Sequence, residues 1–216
     1  MNAFQNANGK PILLGMVSAI QANKAYLGEV DGLIGDGDHG MNMNKGFTMF
    51  GERIANRAIS FTEGLDELGT LLFTEIGGSM GPIYGTVFTS MAEAAEDVTE
   101  IGVAELSAML ENGLKELREI VEAQVGDKTL VDALSPALDA LRAAQTARKT
   151  LPAALKAMKT AAAAGRDSTK DLMAKFGRSA RLGERSRGVL DAGATSCCII
   201  LTAMADGILA LMEVAA

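Results

Sequence analysis

Residues 31–44 read Asp-Gly-Leu-Ile-Gly-Asp-Gly-Asp-His-Gly-Met-Asn-Met-Asn. Glycine at every second or third place removes the helical preference, so this segment is expected as a loop. It carries three carboxylates, Asp31, Asp36 and Asp38, and the only histidine of the chain, His39. Carboxylates so close repel one another and gain no hydrophobic burial, so a compact fold keeps them when a cation neutralises them. Oxygen-only ligands select a hard cation. Mg²⁺ fits better than Ca²⁺, because it takes one or two carboxylates together with waters and substrate phosphates, and three aspartates can hold two such ions. An EF-hand loop must close on Glu; from Asp31 or Asp36 the closing position falls on Asn42 or Phe47. A solvated acidic turn is the plain alternative.

The chain has 216 residues, 48% of them hydrophobic and 4% aromatic. That length supports one sizeable core filled by Ala, Leu and Met, and a single domain over residues 1–216 is expected. Helix formers dominate, and no stretch alternates apolar and polar residues over the length of a strand, a pattern that predicts an all-α fold. A net charge of −7 without a basic cluster argues against nucleic acid or an anionic membrane surface as the main partner. Phosphate affinity would have to come from metal and backbone. Neither a charged-then-apolar leader nor an apolar run near the roughly 20 residues of a membrane span is visible, so a cytoplasmic chain with no membrane partner is expected. Cys197 and Cys198 are neighbours in an apolar helical run, a place for core packing and not for a disulfide between them.

Leu13, Met16, Val17, Ile20 and Leu27 recur at helical spacing and predict a first helix over residues 10–28. Asn42 or Asn44 is placed to cap a second, running to about residue 58 with Met43, Phe47 and Phe50 on one side. Its first N–H groups would face the acidic loop and favour phosphate oxygens or the carboxylates themselves. A third helix is expected over 62–76. Gly77-Gly78-Ser79-Met80-Gly81-Pro82 follows, where the glycines let the backbone approach a ligand and Pro82 opens a helix through Val87 and Met91. That N-terminus offers a second anion seat, although its spacing is neither the P-loop nor G-x-G-x-x-G. An ordinary glycine-rich connection is the alternative.

Helices over 103–124, 129–147 and 151–164 come next, the second opened by the capping spacing Thr129-Leu130-Val131-Asp132. Gly165 is expected to break the third, with a continuation over 168–175. Residues 177–193 carry four arginines in an otherwise acidic protein, which suits a clamp over an anionic ligand; the plain reading is a solvated loop. A strongly apolar helix over 195–214 is the eighth. No Ser/His/Asp or Cys/His constellation, zinc spacing or solenoid repeat is present.

Four of these stretches, I-G-D-G-D-H-G-M-N-M-N-K-G-F (34–47), G-G-S-M-G-P-I-Y-G-T (77–86), G-D-K-T-L-V-D-A-L (126–134) and G-R-S-A-R-L-G-E-R-S-R-G-V-L-D-A-G-A (177–194), resemble the signature blocks of the dihydroxyacetone kinase L subunit family. They stand in family order and spacing across nearly the whole chain. The resemblance implies an eight-helix antiparallel barrel that holds ADP or ATP at one end through two Mg²⁺ ions. It places Asp31, Asp36 and Asp38 as the metal-binding and catalytic aspartates, and His39, Gly40, Met41, Asn42, Gly78, Ser79 and Met80 against the nucleotide. Thr129 and Leu130 fall on its adenine side, and Arg178, Asp191, Ala192 and Gly193 match the closing loop. Two departures stand out. The family's common Gly-Gly-Ala-Ser-Gly-Pro is here Gly-Gly-Ser-Met-Gly-Pro, which moves the hydroxyl to Ser79 and leaves Met80 only its backbone N–H for a phosphate. Glu-Ala-Gln-Val at 122–125 replaces the family's more usual glycine- and lysine-containing turn, which bears on the ring contacts.

The implied chemistry is phosphoryl transfer by placement and charge neutralisation. The family's ketone, dihydroxyacetone, is held by a separate substrate-binding K subunit through a covalent histidine bond. His39 lies inside the nucleotide motif, so this chain is expected to be inactive alone. A lone L-type domain resembles the bacterial phosphotransferase-dependent arrangement, with ADP retained and rephosphorylated by a phosphotransferase M subunit. The alternatives are an ATP-dependent kinase subunit for a related ketose or other acceptor, and a non-catalytic nucleotide-binding regulator. Homodimerisation is left open.

Overall fold

The computed structural model describes residues 2–214. Among them are nine α-helices: α1 (Lys10–Ala22), α2 (Lys24–Ile34), α3 (His39–Ile54), α4 (Phe61–Glu75), α5 (Met80–Glu93), α6 (Val103–Ile120), α7 (Val131–Thr146), α8 (Leu151–Ser168) and α9 (Ala192–Val214). The all-α expectation holds. One small ribbon interrupts it, β1 (Ala3–Gln5) paired antiparallel with β2 (Glu100–Gly102) in the register Phe4↔Ile101. Strands this short leave no alternating pattern to read.

Packing partners close a ring. Helices α1, α3, α4, α5, α6, α7, α8 and α9 each touch the next, and α9 returns to α1, while α2 packs on α3 and α9. Eight helices therefore form the barrel, and the ninth arises because the expected first helix divides at Asn23, whose side-chain amide donates to the Ala19 carbonyl 2.8 Å away. Short connections make sequential neighbours antiparallel. Local chemistry sets several of their ends. Ser60 and Glu63 exchange the two hydrogen bonds of a capping box at the start of α4 (Glu63 N–H to Ser60 Oγ 3.2 Å, Ser60 N–H to Glu63 Oε2 2.8 Å). The Gly102 N–H donates to Glu105 Oε2 at 2.9 Å ahead of α6, and Pro152 stands in the first turn of α8.

The core runs down the ring. Phe47, Phe50, Phe61 and Phe88 are fully buried, each stabilising by about 1.5–3 kcal/mol, and Phe47 meets Phe88 edge to face at 6.3 Å. Cys197 and Cys198 are free and buried, as expected.

Several boundaries differ from the sequence reading. The acidic stretch is a loop only over 35–38, since Asp31 lies in the last turn of α2 and His39 begins α3. Neither Asn42 nor Asn44 caps α3, which ends at Ile54. Gly40 is inside that helix because a Cβ there would lie 2.1 Å from the Lys24 carbonyl oxygen and 2.6 Å from the Gly28 nitrogen. Close approach of α3 to α2 demands the glycine, and packing overrides its poor propensity. Helix α5 starts at Met80, ahead of Pro82, and α8 runs unbroken through Gly165. Helix α9 is also long and apolar enough in composition to cross a membrane, against the expectation that no run approached that length. Its buried residues pack on α1, α2, α7 and α8, which accounts for that hydropathy by the core.

Candidate functional site

In a ring of antiparallel helices, alternate connections emerge at the same end. The α2–α3, α4–α5, α6–α7 and α8–α9 connections therefore meet, and they carry the four blocks singled out from the sequence. Between them lies a cleft of about 460 Å³. Its lining includes Asp31, Asp36, Asp38, His39, Asn42, Gly78, Ser79, Met80, Thr129, Leu130, Arg178, Asp191, Ala192 and Gly193. Two of the predicted residues do not line it. Gly40 is turned onto α2, and Met41 projects outward, 58% exposed.

Asp31, Asp36 and Asp38 each offer a carboxylate oxygen, all within 4.8 Å of one another. The backbone enforces that convergence. A Cβ on Gly35 would lie 2.3 Å from Asp31 Oδ1, and Gly37 has φ +77°, so both positions need glycine. The His39 N–H at the start of α3 donates to Asp31 Oδ2 at 3.3 Å, bringing the positive end of the helix dipole to the cluster. Burial, followed by the charges of Asp36 and then Asp31, pushes the Asp38 carboxyl above its usual range. Arg178 from the neighbouring α8–α9 connection offsets part of this, and its Nη1 reaches Asp36 Oδ2 at 2.8 Å. Three hard oxygen donors with mutual repulsion fit Mg²⁺.

A second helix start faces the same cleft. Gly78 has φ +74°, and α5 follows at once. The first N–H groups of a helix have no acceptor within it, and Pro82 has no N–H, so the donors of this seat end at Gly81. A Cβ on Gly81 would meet the Ile76 carbonyl at 2.2 Å. The Met80 side chain is buried, which leaves its backbone as the group facing a ligand.

Across the cleft, Ile34, Ile83, Val121, Ala123, Leu130 and Phe176 supply apolar wall. Asp132 shapes the turn ahead of α7 by accepting from the Gly126 N–H at 2.6 Å and the Thr129 N–H at 2.7 Å. Asp191 caps α9, accepting the Ala194 N–H at 2.7 Å. Burial pushes its carboxyl up to about 7; the Ala194 N–H and Lys128 oppose the shift, and the charges of Asp132 and Asp31 add to it.

Reading the sequence missed Tyr84, Ser196 and Lys128. The His39 ring shares a 2.8 Å hydrogen bond with Ser196, and Ser196 lies 2.6 Å from the Tyr84 hydroxyl. A lone serine inside the apolar run of α9 was the signal. Lys128 was hidden in the polar turn, and nothing in the sequence shows where its ammonium goes.

Fold and site together define a class, an all-α ring domain whose one open end gathers an acidic cluster, two helix N-termini and an arginine-bearing loop. The DAK2 domain family model matches residues 33–206, and the chain belongs to that family. It is 36% identical over 183 residues to the Escherichia coli protein named PEP-dependent dihydroxyacetone kinase, ADP-binding subunit DhaL, covering 83% of this chain and 86% of that one. It is 35% identical over 189 residues to the Lactococcus lactis PTS-dependent dihydroxyacetone kinase, ADP-binding subunit DhaL, covering 87% of this chain and 90% of that one. The dihydroxyacetone kinase of C. freundii, solved in complex with AMP-PNP and Mg²⁺, shares the fold at a TM-score of 0.70 and 24% identity. That match covers 94% of this chain and 34% of the kinase, so the chain spans about a third of its length.

Proposed function

We propose that this chain is a single-domain, nucleotide-binding subunit of a dihydroxyacetone kinase, working in the cytoplasm with a substrate-binding K subunit and a phosphotransferase M subunit. The observation that carries the reading is the convergence of Asp31, Asp36 and Asp38 within 4.8 Å beside two helix N-termini. Relatives of similar length named as ADP-binding subunits support it. The three aspartates hold two Mg²⁺ ions, which when bound supply positive charge against the phosphate oxygens. The N–H groups at the start of α3 and of α5 through Gly81 orient the phosphates. Arg178 closes over the transferred group, its planar fork suited to phosphate oxygens. Thr129, Leu130 and the apolar wall hold the ring. His39 is committed to Ser196 and half-buried, so the ketone is held elsewhere, on the partner.

Retained ADP, rephosphorylated in place, is the favoured mode. The test loads the chain with labelled ADP and Mg²⁺, chases with excess unlabelled ATP, and then supplies the K partner, dihydroxyacetone and a phosphotransferase donor. Label should stay bound through many turnovers and leave when a chelator is added. Label lost within seconds, with steady turnover on free ATP, would leave an ordinary ATP-dependent kinase subunit; an unlabelled chain would remove the nucleotide reading.

A further inference from the structure

The segment between α8 and α9 is a long loop with a closed neck. The Gly188 N–H donates to the Lys170 carbonyl at 2.7 Å, and the Asp191 N–H to Thr169 Oγ1 at 3.0 Å. Within the loop, the buried Ser186 hydroxyl accepts the Ala174 N–H at 2.9 Å and donates to the Gly183 carbonyl at 2.6 Å, so the body holds its own shape. Arg178 sits on this body and reaches Asp36.

Lys128 belongs to a different connection, yet its ammonium lies in that neck. It donates to the Thr169 carbonyl at 2.6 Å and to the Val189 carbonyl at 2.5 Å, one on each strand of the loop where it leaves the barrel. The residue is only 1% exposed. Its backbone has φ +63°, a region lysine rarely occupies, and residues held there by their surroundings cluster at functional sites. The adjacent Asp127 grips the loop body, accepting from Lys175 Nζ at 2.6 Å, while the Asp127 carbonyl takes the Lys175 N–H at 3.2 Å. Lys128 lines the cleft, where a lysine could serve a bound anion directly. Here two of its three donors are spent on the two carbonyls of the neck.

We propose that Lys128 is the positioning residue of the Arg178-bearing loop: by bridging the Thr169 and Val189 carbonyls it fixes the loop's root, and thereby sets how slowly a nucleoside diphosphate leaves the cleft. The second half of this statement rests on the nucleotide reading above; the first does not. Without the bridge the neck keeps only the Gly188–Lys170 and Asp191–Thr169 hydrogen bonds, so it opens more readily, the loop swings as a unit, and Arg178 leaves Asp36 more often. Ligand departure accelerates while ligand entry, which already needs an open loop, changes little.

The experiment compares wild type with Lys128→Met and Lys128→Gln in two assays. The first is limited trypsin digestion, with cleavage followed at the exposed Arg181 and Arg185. The second is stopped-flow binding and release of ADP with Mg²⁺. Lys128→Met should be cut at least about tenfold faster, the factor that corresponds to 1.4 kcal/mol. It should release ADP faster by a similar factor at an unchanged association rate, a split that general loss of stability does not produce. A folded Lys128→Met cut at the wild-type rate overturns the proposal. Should that variant fail to fold, Lys128→Gln decides: it keeps a polar amide in the neck and removes the ammonium that spans the Thr169 and Val189 carbonyls. Cleavage severalfold faster than wild type supports the bridge, and wild-type cleavage overturns it. If wild type itself binds no ADP, the nucleotide reading fails while the digestion still decides the neck.

Discussion

The imidazole of His39 and the hydroxyl of Ser196, far apart in sequence, lie 2.8 Å from each other at the wall of the cleft. Ser196 also reaches Tyr84 at 2.6 Å, and Tyr84 donates to the Gly193 carbonyl at 3.1 Å. Three helices, α3, α5 and α9, are thus joined at the level of the site. Burial lowers the His39 pKa below its usual value and pushes the Tyr84 hydroxyl up, which in both favours the neutral form. Ser196→Ala would leave a ring nitrogen of His39 unpaired in a desolvated place, at a cost of about 1–3 kcal/mol. A chain of this length loses roughly 2–4 °C of melting temperature per kcal/mol, which a calorimetric scan resolves. Tyr84→Phe keeps the His39–Ser196 bond and should lose less. Equal losses would show that Ser196 does not serve His39.

Asp191 makes stability depend on pH in a direction opposite to most carboxylates. Its folded pKa, about 7, lies above the ordinary value of 3.8 because burial disfavours the charge. The folded state therefore holds a proton that the unfolded chain gives up. Its stabilising contribution is complete below about pH 3.8, drains away as the pH rises toward 7, and is flat above. Asn at this position is always neutral and can still cap α9. In urea titrations, wild type should lose stability relative to Asp191→Asn between pH 5 and 7, and the difference should then stay constant to pH 9. A difference that does not change with pH would mean the carboxyl is ionised throughout.

Much of this site was legible because its chemistry is local. Gly35 and Gly37, Gly78, and the Thr129-to-Asp132 spacing announce turns through residue type alone, and the Asp132 carboxylate does take the Thr129 N–H. The ring topology then brings alternate turns together. What stayed hidden depends on contacts between distant segments. Gly40 reads as a helix breaker until α2 is seen pressed against it. Ser196 reads as a polar fleck in an apolar helix, and Asn23 gives little warning that the first helix ends there. The direction of the Lys128 side chain follows from a positive φ that no sequence pattern prescribes.

Gly165, expected to interrupt α8, instead lets it pass. A Cβ at this position would lie 1.9 Å from the carbonyl oxygen of Asp132 in α7. That carbonyl is special, because its helical donor would be the N–H of Pro136, and proline has none. The carbonyl turns toward α8, and only a residue without a side chain can sit against it, close enough for a Cα–H contact. Gly165→Ala, which would stabilise an exposed helix by about 1 kcal/mol through propensity, should here destabilise by a comparable or larger amount, since overpacking costs about 1–3 kcal/mol. Chemical denaturation reports the sign directly. A more stable variant would mean that α7 and α8 have room to part.

Asp38→Asn separates binding from folding. In the free chain the Asp38 carboxyl is held above its usual range by burial and by Asp36 and Asp31, so its ionised form is a source of strain at neutral pH. Replacing it with the neutral amide keeps the shape and removes one charge from the cluster. The melting temperature without ligand should therefore be equal to or slightly above that of wild type. On the proposed reading, addition of ADP and Mg²⁺ tells the opposite story. Wild type gains RT ln(1 + [L]/Kd), about 2.7 kcal/mol at a hundredfold excess over Kd, and the variant should gain almost none of it. ADP with a chelator should stabilise neither protein. If Asp38→Asn kept the full shift with ADP and Mg²⁺, the cluster would not be the metal site, and the three carboxylates would be a solvated turn at the mouth of a cleft that binds by other means.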